Sequence, residues 1–261
     1  MKQQLSLRAS VCLALATLAS SSTLAAGFQV NEHSANGLGR AMAGQAAMAE
    51  NASILATNPA AIGVFTTSQF SGSISFIDPN VDVSAQTTSY VATEAGNLTV
   101  ASEDASEDDI ADTAFVPSFF YTTPINDKWS AGIGAFTTYG LRSDYSDDFE
   151  ALHFADTAEV KSFTLNPAVS YKVNDTLRVG FGLNFTYADA EISSAIPNSL
   201  TPVLGLAVDN ASVFKLEGDD IGYGWNAGVY YQPTETTTLA LSYRAETELE
   251  LDGEVSSDLS A

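Results

Sequence analysis

The sequence predicts a transmembrane antiparallel β-barrel preceded by an N-terminal segment of different composition. From about residue 69, apolar and polar residues alternate with a period of two, which is typical of β-strands. About seven such segments occur, each of roughly ten residues, the length that a tilted membrane-spanning strand needs. Short and long connections alternate along the chain, as they do in barrels with short turns at one end and long loops at the other.

Residues 1–25 are predicted to be a cleaved signal peptide. Lys2 and Arg8 precede an apolar run over residues 11–18, and the small residues Thr23 and Ala25 stand at the usual positions before a cleavage site. The only cysteine, Cys12, lies in this segment, so we expect an exported protein without disulfides.

The charge excludes nucleic acid as a partner. Thirty-two acidic residues against ten basic ones give a net charge of −22, which repels phosphate. The acidic residues cluster in the long connections, at residues 103–109 and 144–150. We interpret these clusters as solvated outer loops and predict no metal site, because their spacing does not match that of a calcium-binding loop.

Residues 26–66 form a segment distinct from residues 67–261, which are predicted to be an incomplete barrel. This N-terminal segment is rich in Ala, Gly and Asn and has too few large apolar residues to form its own core, so it must pack inside or against something else. A short helix is expected over residues 38–49, where strong helix formers dominate. Asn58, Pro59 and Ala60 form a turn or a helix start.

The strand pattern fits two architectures, a soluble sandwich with its apolar face inward and a membrane barrel with that face towards lipid. Residues 177–187 show the alternation most clearly, with small and polar residues on one face. Tyrosines near strand ends resemble an interfacial girdle and favour the barrel. Because about seven strands would leave two open edges in the membrane, we expect the chain to be the N-terminal part of a larger barrel.

Several short motifs recur in the order and spacing of a known family. They are AGFQVNE at 26–32, GLGRA at 37–41, Asn58-Pro59-Ala60, IDP at 77–79, GYGWNAG at 222–228 and LSYR at 241–244. On these residues the chain resembles the FadL/TodX family of outer-membrane transporters of hydrophobic compounds.

The resemblance implies a barrel of 14 strands, an even number within the usual range, whose lumen is plugged by a mostly helical N-terminal hatch, residues 26–66. It implies passive transport of long-chain fatty acids or other hydrophobic molecules, by capture at outer loops, passage past the hatch and lateral exit at a kink in the third strand. The partners would be these molecules and outer-membrane lipids. We expect a monomer in the bacterial outer membrane, without a cofactor or enzymatic activity. A channel for aromatic hydrocarbons or alkanes and a structural or adhesive barrel are the alternatives.

Two candidate sites concern the hatch and the third strand. The resemblance places Asn58, Pro59 and Ala60 at a hatch contact near the lateral opening; an ordinary turn is the alternative. In the third strand, Gly132 and Gly134 permit a bend beside Phe136, which would create the opening. Close packing of these small residues against the hatch is the alternative interpretation.

Two further candidate sites concern the ligand. The apolar residues of one long loop predict an entry groove, with Thr201 capping a short helix, or else a self-packed loop: Leu200, Val203, Leu204 and Leu206. By strand parity Arg178, Arg244 and Lys172 point into the lumen, where they could pair with a carboxylate, with hatch acids or with solvent. Residues 188–192 (ADAEI) are acidic where fatty-acid transporters of the family carry basic residues, which argues against a carboxylate partner there.

Overall fold

The computed structural model describes residues 29–93, 96–206 and 208–259, and a curled antiparallel sheet of nine strands is its main element. The predicted signal peptide lies outside the described residues. The strands are β1 (Gln69–Ile77), β2 (Gln86–Thr93), β3 (Gly96–Asp104), β4 (Ala114–Pro124), β5 (Trp129–Phe136), β6 (Gly140–Asp144), β7 (Thr157–Lys172), β8 (Leu177–Ala195), β9 (Ser212–Thr234), β10 (Thr237–Arg244) and β11 (Asp252–Ser256).

Seven strands form a continuous half-barrel in the order β1-β4-β5-β7-β8-β9-β10. Every neighbouring pair along this path is antiparallel. The two short strands β6 and β11 pair with β7 and β9, and β2 and β3 form a separate hairpin. The seven strands predicted from the alternation are therefore present and follow one another in the sheet in the predicted order.

The two faces of the sheet differ as a membrane barrel requires. Large apolar side chains such as Phe163, Phe181 and Leu183 lie exposed on the outer face. The concave face carries buried small and polar residues, including Thr164, Asn166, Asn184, Thr186 and Asn226. A soluble sandwich would bury the apolar face instead, so the barrel interpretation is confirmed.

The hatch lies against the concave face of the sheet. It contains the α-helix α1 (Ala35–Gly39) and two 3₁₀ helices, η1 (Ala52–Ala56) and η2 (Pro59–Val64). Leu55 and Ile62 of these helices share a buried cluster with Phe120 and Phe136 of the wall. The hatch thus finds its core by packing on the barrel, as its composition predicted.

The prediction of a helix over residues 38–49 is wrong, because the helix spans Ala35–Gly39. The helix ends at Gly39, and Ala41, Met42 and Gly44 have positive φ angles of 50°, 60° and 66°. These left-handed residues cannot continue a right-handed helix. Helix propensity alone does not stabilise so short a segment, and the Met42 N–H instead donates to the Gly37 carbonyl at 2.8 Å in a turn.

The end of the sheet that carries the long loops is stabilised by a separate small hydrophobic cluster. Phe149, Leu152 and Ala105 are buried together with Ala195 at the end of β8. The four-residue helix α2 (Thr201–Leu204) follows this strand. Among the described residues, every helix is too short to cross a membrane.

Candidate functional site

Residues 58–63 of the hatch, here named the anchor segment, are fixed on the barrel wall. Asn58 is fully buried, and its Oδ1 accepts the backbone N–H of Ala60 at 3.0 Å, which caps η2. Its Nδ2 donates to the carbonyl oxygens of Ala46 at 2.9 Å and Val229 at 3.3 Å. The Ser170 hydroxyl donates to the Ala60 carbonyl at 2.8 Å.

Two glycines of the wall make room for the anchor segment. A β-carbon on Gly180 would lie 2.2 Å from the backbone nitrogen of Ala60, and one on Gly228 would lie 1.9 Å from Oδ1 of Asn58. The backbone of the anchor segment therefore approaches β8, and the Asn58 side chain approaches β9, more closely than any residue other than glycine would allow. The motif thus contacts β7, β8 and β9, and its helix η2 also lies against β5, the third strand of the barrel. A role at a lateral opening stays a prediction.

The bend predicted at Gly132 and Gly134 is not there. Gly132 pairs regularly with Thr122 and Ala168, and Gly134 is equally regular between β4 and β7. A β-carbon on Gly132 would lie 2.5 Å from Cδ1 of Leu55 in the hatch. These glycines therefore allow close packing against the hatch, which was the alternative interpretation of their role. A larger residue at either position would collide with Leu55.

The irregularity in the third strand follows Phe136 instead. Pairing of β5 with β7 ends at Phe136↔Thr164 and resumes as β6 at Gly140↔Lys161. Between these two pairs the chain advances four residues from Phe136 to Gly140 but only three from Lys161 to Thr164. One extra residue is therefore inserted after Phe136, as in a β-bulge. Pairing of β4 with β5 also ends here, at Ser118↔Phe136, although β4 continues to Ala114 on its β1 side. Residues 137–139 therefore mark a break in the wall.

Residues 29–34 of the hatch, here named the sealing segment, cover this break from inside. Gln29 forms an antiparallel bridge with Tyr139, and the Val30 N–H donates to the Thr138 carbonyl at 2.8 Å. Further along, the hydroxyls of Ser118 and Ser75 donate to the carbonyls of His33 at 2.9 Å and Glu32 at 2.6 Å. The hatch thus supplies backbone partners to the wall where β4 does not.

The three basic residues predicted to face the lumen have different surroundings. Arg178 Nε donates to the Gly63 carbonyl of the anchor segment at 3.0 Å, and Lys172 pairs with Asp175 in the neighbouring turn at 2.8 Å. Arg244 donates to the Ala56 carbonyl and to Oδ1 of Asn184, the latter at 3.3 Å. Arg244 also lines a cavity.

This cavity has a volume of about 190 Å³ and lies between the sealing segment and the wall. Arg244 lines it with its guanidinium carbon 5.5 Å from the centre of the Phe136 ring. Among the described residues, no acidic side chain lies within ion-pair distance of Arg244. The remaining lining includes His33, Gln45, Thr138 and Ser242.

The predicted outer-loop groove lies around α2. Leu204 is 57% exposed, and Leu200 and Leu206 are half-buried; the side chain of Val203 lies outside the described part of the loop. Thr201 was predicted to cap the helix, but it forms the first helical residue instead. Its buried hydroxyl donates to the Pro197 carbonyl at 3.4 Å. The groove itself stays a prediction.

The sequence aligns over most of its length with described bacterial proteins. It is 33% identical to the outer membrane protein P1 of Haemophilus influenzae over 94% of its length and 58% of that protein. It is also 33% identical to the long-chain fatty acid transport protein of Salmonella typhi, over 90% of its length and 53% of that protein. The chain thus spans about half the length of these relatives.

Solved structures show the same fold. A Pseudomonas aeruginosa FadL homologue matches with a TM-score of 0.65 at 21% identity, over 84% of this chain and 53% of that one. The Ralstonia pickettii toluene transporter TbuX matches with a TM-score of 0.50 at 18% identity, over 80% of this chain and 56% of that one.

These relatives are outer-membrane and transport proteins, which confirms the predicted outer-membrane location and the prediction that the chain is not an enzyme. Residues 16–261 match the family described as outer membrane protein transport protein (OMPP1/FadL/TodX), to which the chain belongs.

Proposed function

We propose that the protein transports hydrophobic molecules passively across the outer membrane, with long-chain fatty acids as its substrates. The observation that carries this proposal is the break at residues 137–139, which the sealing segment covers from the lumen. An opening there leads sideways into lipid. Transfer of an alkyl chain from water to an apolar phase gains about 0.8 kcal/mol for each methylene, so a lateral exit favours hydrophobic cargo.

The route would begin at the outer loops. Leu200, Val203, Leu204 and Leu206 would form the entry groove, because exposed apolar side chains on a loop offer a surface for an alkyl chain. The anchor segment would then stay fixed on β8 and β9 while the sealing segment moves. Outer-membrane lipids would receive the molecule at the break, and a monomer would suffice, since the path lies within one wall.

Arg244 supports fatty acids as the substrate. A buried cation without an acidic partner gains most from an anion that enters its cavity, because charge-assisted hydrogen bonds strengthen away from water. The second candidate is an aromatic hydrocarbon. The similarity of the fold to that of the toluene transporter TbuX favours it.

The test is uptake of labelled oleate and labelled toluene by cells that express the intact gene, compared with a strain lacking it. Faster entry of oleate supports the proposal, and faster entry of toluene alone favours the aromatic alternative. Transport is excluded if neither compound enters faster than in the deletion strain.

A further inference from the structure

The seventh strand of the half-barrel leaves a gap of its own in the wall. Pairing of β10 with β9 ends at Arg244↔Asn226 and resumes as β11 at Asp252↔Asp219. The chain advances eight residues from Arg244 to Asp252 but only seven from Asp219 to Asn226, so one extra residue is inserted here. Within the described part of the chain, residues 246–251, here named the strap, make no hydrogen bond to the backbone of β9 through their own backbone.

The strap lies on the lumenal face of β9 and not beside this strand. A β-carbon on Gly222 would lie 2.6 Å from the carbonyl oxygen of Glu248. A β-carbon on Gly224 would lie 2.9 Å from Oγ1 of Thr247. Both glycines belong to the inner face of the sheet, because they alternate with the exposed Tyr223. The strap can come so close only because these two positions carry no side chain.

A side chain replaces the missing backbone partners at one end of the strap. The Glu250 N–H donates to Oδ2 of Asp220 at 2.8 Å, and Oδ1 of the same carboxylate accepts the Ile221 N–H at 2.7 Å. The edge of β9 beside the strap is therefore not covered by a regular strand. In a membrane wall, irregular backbone is tolerated only where it lines a cavity or is buried in protein. The gap is thus a place for a passage through the wall.

The gap lies at the same height as the break at residues 137–139. A single row of paired residues connects the two across β5, β7, β8 and β9: Phe136, Thr164, Thr186 and Gly222. Next to this row, the outer face carries the exposed Tyr187. Both openings in the wall therefore border the apolar band that faces lipid, on opposite sides of β7, β8 and β9.

We propose that the strap closes a second lateral opening, between β9 and β10, through which uncharged hydrophobic molecules leave the lumen for the membrane. The proposal rests on the proposed transport function and adds an exit apart from the break at residues 137–139. The strap would move off Gly222 and Gly224, while β10 and β11 stay paired with β9 at its two ends.

The charges of the strap select against anions. Glu246, Glu248 and Glu250 are exposed. The residues between them, Thr247 and Leu249, are partly buried and lie against the glycines of β9. In the part of the chain that the structure describes, none of the three glutamates forms an ion pair. A carboxylate that passed them would meet repulsion between like charges, so this opening should pass toluene more readily than oleate.

The experiment locks the strap with a disulfide in cells that express the intact gene. A β-carbon and the far sulfur of a disulfide are about 3 Å apart, which fits the distance from a β-carbon on Gly224 to Oγ1 of Thr247. Gly224→Cys/Thr247→Cys should therefore crosslink on oxidation. The matched control is Gly224→Ser/Thr247→Ser, which has a similar size and cannot crosslink. Uptake of labelled toluene and labelled oleate is measured as the excess over the deletion strain, before and after reduction.

The two openings should respond differently to a lock. We expect the oxidised Gly224→Cys/Thr247→Cys pair to slow toluene uptake by about twofold or more and to leave oleate uptake unchanged, because one of two gated exits is shut. A cysteine pair at the bridge partners Gln29 and Tyr139 should have the reverse preference and slow oleate more than toluene.

The proposal is overturned if the oxidised cysteine pair takes up toluene as fast as its serine control, or if the uptake of toluene and of oleate falls equally. It is also overturned if no disulfide forms, because the strap then does not lie on β9. If the cysteine pair does not fold, Gly222→Ala decides the question. Its added carbon pushes the strap off β9, so toluene uptake should rise, and unchanged uptake refutes the proposal.

Failure of this proposal and failure of the transport function give different results. If the parent protein takes up neither compound faster than the deletion strain, the transport function is refuted. If the parent takes up toluene and none of the strap variants changes its rate, the second opening alone is refuted.

Discussion

The two ends of the hatch are joined to the barrel in different ways. The anchor segment meets β8 and β9 where Gly180 and Gly228 leave no room for a side chain. The sealing segment meets β1, β4 and the break mainly through single hydrogen bonds between hydroxyls or amides and carbonyls, such as those from Ser75 and Ser118. One joint depends on shape and the other on exchangeable polar contacts.

The difference indicates which end of the hatch opens. Hydrogen bonds to carbonyls can be exchanged for bonds to water at a small net cost, whereas close packing of backbone against glycine is lost without replacement. We therefore expect the sealing segment to leave the wall while the anchor segment stays. The cavity lined by Arg244 and His33 lies at the end that is expected to move.

The largest effect on folding is expected from a substitution that places a side chain where the anchor segment contacts the wall. Gly180→Ala places a methyl group against the backbone of Ala60, which cannot yield as a flexible side chain would. Overpacking of this kind costs about 1–3 kcal/mol or more, so the hatch should detach or the yield of folded protein should fall. The measurement is the folded fraction in outer membranes, together with protease sensitivity of the hatch.

The matched control is Gly140→Ala, a strand glycine whose added carbon would come no closer than 3.5 Å to a neighbour, Cγ2 of Val30. It should fold like the parent protein. Equal folding of Gly180→Ala and Gly140→Ala would mean that the anchor segment is not held by shape.

The second prediction concerns the sealing segment. Gln29 and Tyr139 are bridge partners, and opposed residues of antiparallel strands are about 4.5–5.5 Å apart at Cα, a distance that a disulfide spans. The double variant Gln29→Cys/Tyr139→Cys should lose most uptake when oxidised and regain it when reduced. Uptake of labelled oleate before and after reduction is the measurement.

A pair of cysteines in the β9–β10 hairpin provides the control. Thr234 and Thr237 are also paired, both are exposed, and neither belongs to the hatch. Oxidation of Thr234→Cys/Thr237→Cys should leave uptake unchanged. If the oxidised Gln29–Tyr139 variant transports normally, the sealing segment does not move during transport.

The barrel could be predicted from the sequence because each strand carries its own signal. Alternation such as that of Phe181, Leu183 and Phe185 against Gly182 and Asn184 is local, and it shows which face meets lipid without knowledge of the neighbours. The hatch lacks such a signal. Its helix formers at residues 38–49 predicted a helix, but the chain turns at Ala41 and Met42, where both φ angles are positive.

The site was predicted only in its parts. Parity placed Arg244 in the lumen, but its lack of an acidic partner depends on tertiary packing that no local pattern encodes. Glycines 132 and 134 were interpreted as a bend, because a glycine in a strand permits either a bulge or close approach and the sequence does not distinguish them. The place of His33 in the lining of the cavity was missed, since a lone histidine carries no spacing signal.

The smallest effect is expected from the individual polar contacts of the sealing segment. Ser118→Ala and Ser75→Ala each remove one hydroxyl that donates to a hatch carbonyl, at a net cost of about 1 kcal/mol. Folding should stay intact, while the Val30 amide, which pairs with Thr138, should exchange its hydrogen several times faster. Hydrogen exchange of peptides from residues 29–34 measures this directly, with residues 58–63 as the internal reference. Equal acceleration in both segments would show that the hatch loosens as one body, and the contrast between its two joints would then have no functional meaning.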